Sequence, residues 1–559
     1  MGNRTCSSRR LGAFLTTALS LVTLVRPAVA QPAAASPSRP LTVTPGPRDG
    51  VWTRVFNPLL EHADTRWPAS AGIYEPLIVY NRATGSYVPW LGARYDWRDD
   101  NTRLRFTLRE GVSWSDGAPF TSRDVAFTFD LLKRFPVLDR PKMWGFLSEV
   151  TAVDGTTVDF VFKQPYTPGI LPIGQQAIVS EHTWKAVANP VTFADPNPVG
   201  TGPFTEVLRF EPMVYELGRN PRYWQPGKPA ASALRVPMYH TNAEILNALE
   251  AGELDWASLF LPNIEKSWVA RNPTRHTYWY PDIGNTVVLY LNTQKKPFDD
   301  KNVRKAISMA IDRQRVVTEA ISGYVPPADA TGLPDSQKRW KDAALQSAAT
   351  WTQRNVAEAN RLLDAAGLAR GANGNRAVPG GVPMRYEIHT VAGWTDWEAT
   401  AGIIAQSLAE VGIAATVVPL PYKTWNDRLQ SGSFDMGVWT STRGPTPYQF
   451  YRDQMDGALV RPIGQEAAYN FHRFASAEAS RILRRFEASA DPNELMTLGR
   501  ELQQIYAENA PSLPLYGSAL WGVFNTSVYG GFPGRARPYG GASPGQPDTL
   551  PAFVDVTPR

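Results

Sequence analysis

In NAEILNALEA (242–251), apolar residues at Ile245, Leu246 and Leu249 recur at helical spacing between polar positions. Gly252 follows, the residue type that ends a helix in the left-handed conformation, and Leu254–Ala257 reads as a strand. The pattern returns far along the chain. YKTWNDRLQS (422–431) places Trp425 and Leu429 four apart, Gly432 ends the helix, and Phe434–Trp439 is the strand. Just before it, Glu398–Val411 reads as a helix closed by Gly412, with Ile413–Val418 as a buried strand and Arg385–Thr390 as a strand ahead of both. Helix–glycine–strand units at two distant places predict two α/β lobes. Sheets of this kind bind ligands beyond the carboxyl ends of their strands.

A third region has a different texture. Leu104–Leu108 alternates apolar and polar, Gly111 and Asp116-Gly117 supply turns, and Thr121–Asp124 (TSRD) is a capping box for a helix over Val125–Phe135. These features predict a further small domain. In PFDDKNVRKAISMAI (297–311), Asp299 or Asp300 caps a helix whose apolar stripe is Val303, Ile307, Ala310 and Ile311. Residues 31–50 are rich in Ala, Pro and Ser and read as a flexible leader. Residues 530–552 are so rich in Gly and Pro that no regular structure is expected there.

Composition sharpens this picture in three ways. Arg4, Arg9 and Arg10 precede the apolar run Leu11–Val25, and Ala28-Val29-Ala30 makes a small-residue cleavage site before Gln31, so residues 1–30 read as a secretory signal peptide. The one cysteine, Cys6, lies ahead of the apolar run, where it cannot carry a lipid anchor. The chain beyond residue 30 has no thiol for a disulfide or a metal, and the expected location is a periplasm. Four of the five excess positive charges are arginines of the first thirty residues; the remainder is nearly neutral, against a nucleic-acid binder. Finally, eighteen tryptophans exceed what packing needs. An indole N–H needs a partner when buried, so many of these rings are expected at a pocket or interface.

A search for catalytic constellations yields none. The six histidines (62, 182, 240, 276, 389, 472) show no pair at helical metal-ligand spacing, so neither metal nor cofactor is expected. Gly541–Gly545 fits G-x-S-x-G but lies in the Gly/Pro tail rather than on a strand–turn–helix. Gly227-Lys228 runs into Pro229, so it is no phosphate loop. Paired carboxylates such as Asp299-Asp300 have a simpler use as helix caps than in glycoside hydrolysis.

Six blocks, in order, carry a family likeness: LREGVSWSDGAPFTSRDVAFTFDLL (108–132), VGTGPFTEV (199–207), ELGRNPRYW (216–224), ALEAGELDWA (248–257), LYLNTQKKPFDDKNVRKAISMAIDRQRVV (289–317) and RLLDAAG (361–367). Through them the chain resembles the oligopeptide/dipeptide-type extracellular solute-binding proteins of ATP-binding-cassette importers. The resemblance implies an α/β fold of periplasmic binding protein type: two lobes joined by a hinge, with an additional inserted small domain. Lobe I would comprise 51–70, 200–288 and 520–559, the inserted domain 71–199, and lobe II 289–519. One crossing between lobes is expected near Asn285–Asn292, and Gly200 and Gly202 are expected to permit tight turns. The implied partners are a small solute and an inner-membrane permease–ATPase complex; a monomer is expected.

The same resemblance places the ligand beside WTSTRGPTPYQFYR (439–452). The family often carries a tryptophan at the end of this strand and an aspartate a few residues on, which in peptide-binding members pairs with the α-ammonium. Trp439 matches the tryptophan, but Thr442 or Arg443 stands where the aspartate would be, and neither can hold an ammonium. GPTPYQFYR is similar to members that bind short oligosaccharides. The expected ligand residues are therefore Trp52, Phe56, Trp394, Trp397, Asn426, Trp439, Thr442, Arg443, Tyr448 and Trp521, with flat indoles for pyranose faces and polar neighbours for hydroxyls. Trp425 is expected in the core. An oligosaccharide is the favoured cargo, a peptide the alternative, and a secreted glycoside hydrolase the more distant reading.

Overall fold

The computed structural model describes residues 39–60, 72–442, 444–489 and 491–559. The signal-peptide reading and His62 lie outside them. Three main sheets organise these residues. The first has seven strands in the order His276–Trp279, Gly522–Asn525, Trp256–Ser258, Leu41–Thr44, Ala233–Pro237, Val214–Arg219 and Phe204–Glu211. Leu41–Thr44 sits at its centre, parallel to both neighbours, with Leu41 and Val43 fully buried. The flexible-leader expectation for 31–50 is therefore corrected from Leu41 onward. Four residues, LTVT, suffice for a central strand when neighbours satisfy both edges, whatever proline-rich sequence flanks them.

The second sheet has five strands, in the order Ala414–Leu420, Arg385–Val391, Met436–Thr440, Asp282–Leu291 and Leu513–Ala519. The first three run parallel, and the last two are antiparallel to their neighbours. Ala414–Leu420 is half-buried rather than buried as expected, because it forms the edge of the sheet. The third sheet is an antiparallel set of four: Gly92–Arg98, Arg103–Leu108, Thr157–Phe162 and Leu147–Ala152. Its Arg103–Leu108 strand alternates in burial as the sequence alternates in polarity. The Asp124 carboxylate accepts the Thr121 N–H at 2.8 Å, starting the helix Ser122–Arg134. Asp300 caps Lys301–Ala310, and the stripe Val303, Ile307, Ala310 and Ile311 is buried against the five-stranded sheet.

Helices Asn242–Glu250, Thr395–Glu410 and Tyr422–Ser431 form where periodicity places them. Gly252, Gly412 and Gly432 follow them with φ of +73°, +80° and +74°, the backbone that only glycine adopts without strain. Gly200 and Gly202 act otherwise: neither has a positive φ. A Cβ on Gly200 would lie 1.9 Å from the Ile73 carbonyl oxygen, so close backbone approach, not turn geometry, requires glycine there.

Two chain passages connect the seven- and five-stranded sheets. Tyr280-Pro281 links Trp279 to Asp282, a few residues ahead of the expected crossing, and Leu520-Trp521 links Ala519 back to Gly522. They run side by side: Asp282 pairs with Ala519, Trp279 with Gly522, and Leu520 N–H donates to the Pro281 carbonyl at 3.0 Å. One apolar core surrounds the five-stranded sheet and another spans the other two.

The Gly/Pro-rich segment after Gly530 is also corrected. Leu550–Asp555 is helical, Ala542, Ser543 and Asp548 are buried, and Arg82 forms a buried ion pair with Asp548. Tertiary contacts, not local propensity, order this stretch.

Candidate functional site

Strand Met436–Thr440 ends in a loop that leads into helix Tyr448–Met455, and two clusters of side chains flank that loop. The first is aromatic. The Trp439 ring lies 4.2 Å from Trp425 and 5.4 Å, edge-on, from Trp397; Trp397 lies 4.8 Å from Trp394, which in turn neighbours Tyr422 at 6.1 Å. Helices Thr395–Glu410 and Tyr422–Ser431 supply these rings to the strand end. Trp425 and Trp397 form the inner layer at 1% and 6% exposure, whereas Trp394, Trp439 and Tyr422 are half-buried. A half-buried indole held by buried ones presents a rigid apolar face at low entropic cost.

Trp521 joins this cluster from the chain passage between the sheets. Its indole N–H bonds the carboxylate of Asp396, which lies between Trp394 and Trp397 in sequence. Burial pushes that carboxyl up to about 6, against the lowering effect of the amides at the helix start and of Trp521. Trp521 also packs edge-on to Tyr280 at 4.8 Å, so a ring on one chain passage leans on the other.

The second cluster is polar. Thr442 hydrogen-bonds the buried carboxylate of Asp453, and Arg452 Nε donates to Asp453 Oδ1 at 2.6 Å. Burial raises the Asp453 carboxyl and the Arg452 charge opposes it. The Arg452 guanidinium lies 4.8 Å over the Tyr469 ring, and Tyr448 donates its hydroxyl to Glu487. Side chains from the four-stranded sheet's surroundings reach the same place. The Tyr166 hydroxyl is 3.4 Å from that of Tyr448, Thr167 Oγ1 donates to the Ser489 carbonyl at 3.3 Å, and exposed Arg140 is attracted electrostatically to Tyr469, Glu466 and Tyr422.

The structure thus brings together Trp394, Trp397, Trp439, Thr442 and Trp521. Tyr448 adjoins them but is 1% exposed, its hydroxyl engaged with Glu487 and facing Tyr166. Asn426 shares the helix of Trp425, and its Oδ1 accepts from Gln430. Arg443 lies outside the described residues. Trp52 and Phe56 are placed elsewhere, buried at 3% and 2% against Tyr215 and Phe210 of the seven-stranded sheet. The sequence reading missed Asp453, Arg140 and Tyr166. Asp453 directly follows the stretch that drew attention, but YRDQ reads as an ordinary helix face. Arg140 and Tyr166 are distant in sequence and carry no local signal.

Among the described residues, no group of three or more His, Cys, Asp or Glu is arranged to hold a metal. None of their helices is long and apolar enough to cross a membrane. Ser543 of the G-x-S-x-G stretch is 1% exposed, and its hydroxyl accepts the Gly545 N–H. A surface groove of about 660 Å³ lies apart from this site, between Pro89-Trp90, Arg109-Glu110 and Trp224–Lys228.

Comparison with known proteins fits this layout. The profile of the bacterial extracellular solute-binding proteins, family 5 (middle), matches residues 86–458. The nickel-binding periplasmic protein of Escherichia coli is 26% identical over 69% of this chain and 73% of its own. The glutathione-binding protein of Salmonella typhi is 24% identical over 79% and 82%. Among solved structures, a mannohexaose-bound periplasmic oligopeptide-binding protein of an ABC transporter from Thermotoga maritima superposes with a TM-score of 0.81. It is 25% identical, over 93% of this chain and 98% of that one. These matches confirm the periplasmic binding protein fold read from the sequence. The chain belongs to the bacterial extracellular solute-binding proteins, family 5, and serves as the solute-binding component of an ABC importer.

Proposed function

We propose that the protein captures a short oligosaccharide between two lobes, one around each large sheet, and delivers it chemically unchanged to an inner-membrane permease. The carrying observation is the half-buried wall of Trp394, Trp439 and Tyr422 beside a loop that offers Thr442. Indole faces match the C–H faces of pyranose rings, and Thr442 offers a neutral hydrogen bond where an ammonium would need a charge. A relative crystallised with mannohexaose supports the same class of cargo. Tyr280-Pro281 and Leu520-Trp521 would act as the hinge; ligand touching both lobes favours the closed state. The chain would work as a periplasmic monomer, freed of its signal peptide.

A peptide is the second reading, and Asp453 is what favours it: a carboxylate bonded to Thr442 could meet an α-ammonium. Arg452, 2.6 Å away, already balances that charge. The test is a thermal-shift and calorimetric screen of manno-, cello- and xylo-oligosaccharides against short peptides. A ligand at a hundred times its Kd stabilises the folded state by about 2.7 kcal/mol. Stabilisation by a sugar, recovered intact afterwards, and not by peptides is expected; the reverse, or cleavage of the sugar, overturns the proposal.

A further inference from the structure

Among the described residues, Tyr166 alone of the half-buried apolar side chains packs against both large cores. It follows strand Thr157–Phe162 of the four-stranded sheet and stacks on Phe146, with ring centres 4.6 Å apart. On its other side it meets the body around the five-stranded sheet. Its ring lies edge-on to Tyr448 at 6.3 Å, and its hydroxyl is 3.4 Å from the Tyr448 hydroxyl, which donates to Glu487. The next residue adds a second contact: Thr167 Oγ1 donates to the Ser489 carbonyl at 3.3 Å. The turn Thr167–Gly169 thereby lies against helix Ala477–Ala488. The turn is shaped to its support. A Cβ on Gly169 would stand 2.7 Å from Phe162 Cε1 and 3.1 Å from Phe146 Cε2, so only glycine lets the turn sit on the rings that also carry Tyr166.

These contacts differ in kind from the two chain passages. At Tyr280-Pro281 and Leu520-Trp521 the backbone itself runs between the sheets, so the bodies stay joined there in any conformation. Tyr166 and Tyr448 are 282 positions apart in sequence, and nothing covalent links them locally. Their contact must break when the bodies swing apart. Both hydroxyl distances exceed the usual O–H···O range of about 2.5–3.0 Å, so each bond is weak. Weak contacts on a pre-shaped turn hold two bodies together without locking them.

We propose that Tyr166 and Thr167 are a closing latch: they hold the body around the four-stranded sheet against the body around the five-stranded sheet and set the balance between open and closed forms. The inference rests on the hinge reading and not on the identity of the cargo. Capture draws on closure, so affinity for cargo of any class is scaled by the share of protein able to close.

Double electron–electron resonance tests it. Spin labels are placed at exposed positions of the two bodies through Val153→Cys and Ile463→Cys, with Cys6→Ser removing the chain's one native cysteine. The double variant Tyr166→Phe, Thr167→Val keeps the stack on Phe146 and removes only the two hydroxyls. Without ligand, the wild-type latch should give a short-distance population, and the double variant should lower its ratio to the long-distance population by about fivefold. Residues that merely pack their own domain would instead lower the melting temperature and leave the distances alone. Thr167→Val by itself does not touch the Phe146 stack and should show part of the shift, which keeps the proposal testable should the double variant fold poorly. Equal distributions in wild type and variants overturn this inference; where mannohexaose or trialanine still shortens the distance in both, the hinge reading stands. A single distance in every protein, with and without these two probes, overturns the hinge reading together with the latch.

Discussion

Glu75 should make the stability of this protein depend on pH in a direction opposite to that of an ion-paired carboxylate. Its side chain is fully buried and accepts from Trp90 Nε1 at 2.7 Å, Tyr223 Oη at 2.9 Å and Trp224 Nε1 at 3.1 Å. Burial outweighs these donors and pushes its carboxyl from 4.5 to about 7. Unfolded, the acid loses its proton near 4.5; folded, it holds the proton until about 7. Folding therefore becomes less favourable as pH rises between those values, and the full penalty is present above about 7. At about 1.4 kcal/mol per unit the whole shift is worth roughly 3 kcal/mol, of which about 2 kcal/mol falls between about pH 5.5 and pH 8. Asp195, Asp255 and Asp396, each raised to about 6 by burial, act in the same direction, but most of their loss lies below that window. His472, pushed down to about 3 by burial, opposes them, because its folded form stays neutral where the unfolded one is charged. Glu75→Gln isolates one group from this background, since the amide resembles the protonated acid and does not titrate. Urea midpoints followed by tryptophan fluorescence across the window should differ least for the two proteins at the acid end. At the alkaline end the variant should gain about 2 kcal/mol relative to wild type. Parallel pH profiles would refute the argument and mean that the donors around Glu75, Thr201 among them, and not burial, govern the carboxyl.

Two further outcomes separate wall from core and tail from body. Trp425→Ala, at 1% exposure, should cost about 3–5 kcal/mol of stability, whereas half-buried Trp439→Ala should cost clearly less and chiefly weaken ligand binding; equal melting temperatures for the two variants would contradict the layering. Asp548→Ala leaves Arg82 as a buried unpaired charge, which should destabilise by about 3–5 kcal/mol and speed proteolysis after Gly530, while an unchanged digestion pattern would show that the ion pair does not hold the C-terminal segment.

The family likeness also gains a physical content that the quoted blocks lack by themselves. In ELGRNPRYW, Tyr223 and Trp224 aim their polar atoms at Glu75, which lies far away in sequence, and Asn220 donates to the Gly202 carbonyl inside VGTGPF. Two blocks that look independent in sequence are thus one network, tied to the 72–75 segment by Gly202 N–H donating to the Ile73 carbonyl at 2.9 Å. The two blocks fasten the 72–75 segment to the strands that follow Gly202, a packing role that says nothing about cargo.

Legibility in the sequence followed the range of the forces involved. Helices with a glycine stop were readable because spacing and left-handed φ are local properties, as Gly252, Gly412 and Gly432 illustrate. Leu41–Thr44 and Leu550–Asp555 were not, because distant partners order them: the strands at 233–237 and 256–258 hold the first, and the Arg82–Asp548 pair anchors the stretch just before the second. The site divides the same way. Trp439 could be found from its place at a strand end, and Trp425 was correctly assigned to the core from its spacing with Leu429. Trp52 looks no different from Trp394 in sequence; only the packing of Tyr215 against it removes its face from use. Asp453 is the sharpest case. The aspartate expected on the loop is absent, yet a carboxylate reaches the same threonine from the following helix, accompanied by the arginine that cancels its charge. A one-dimensional reading registers only the missing acid, whereas the folded chain carries an acid whose partner changes what it can recognise. What the site selects is therefore decided less by which residues line it than by how their polar atoms are paired.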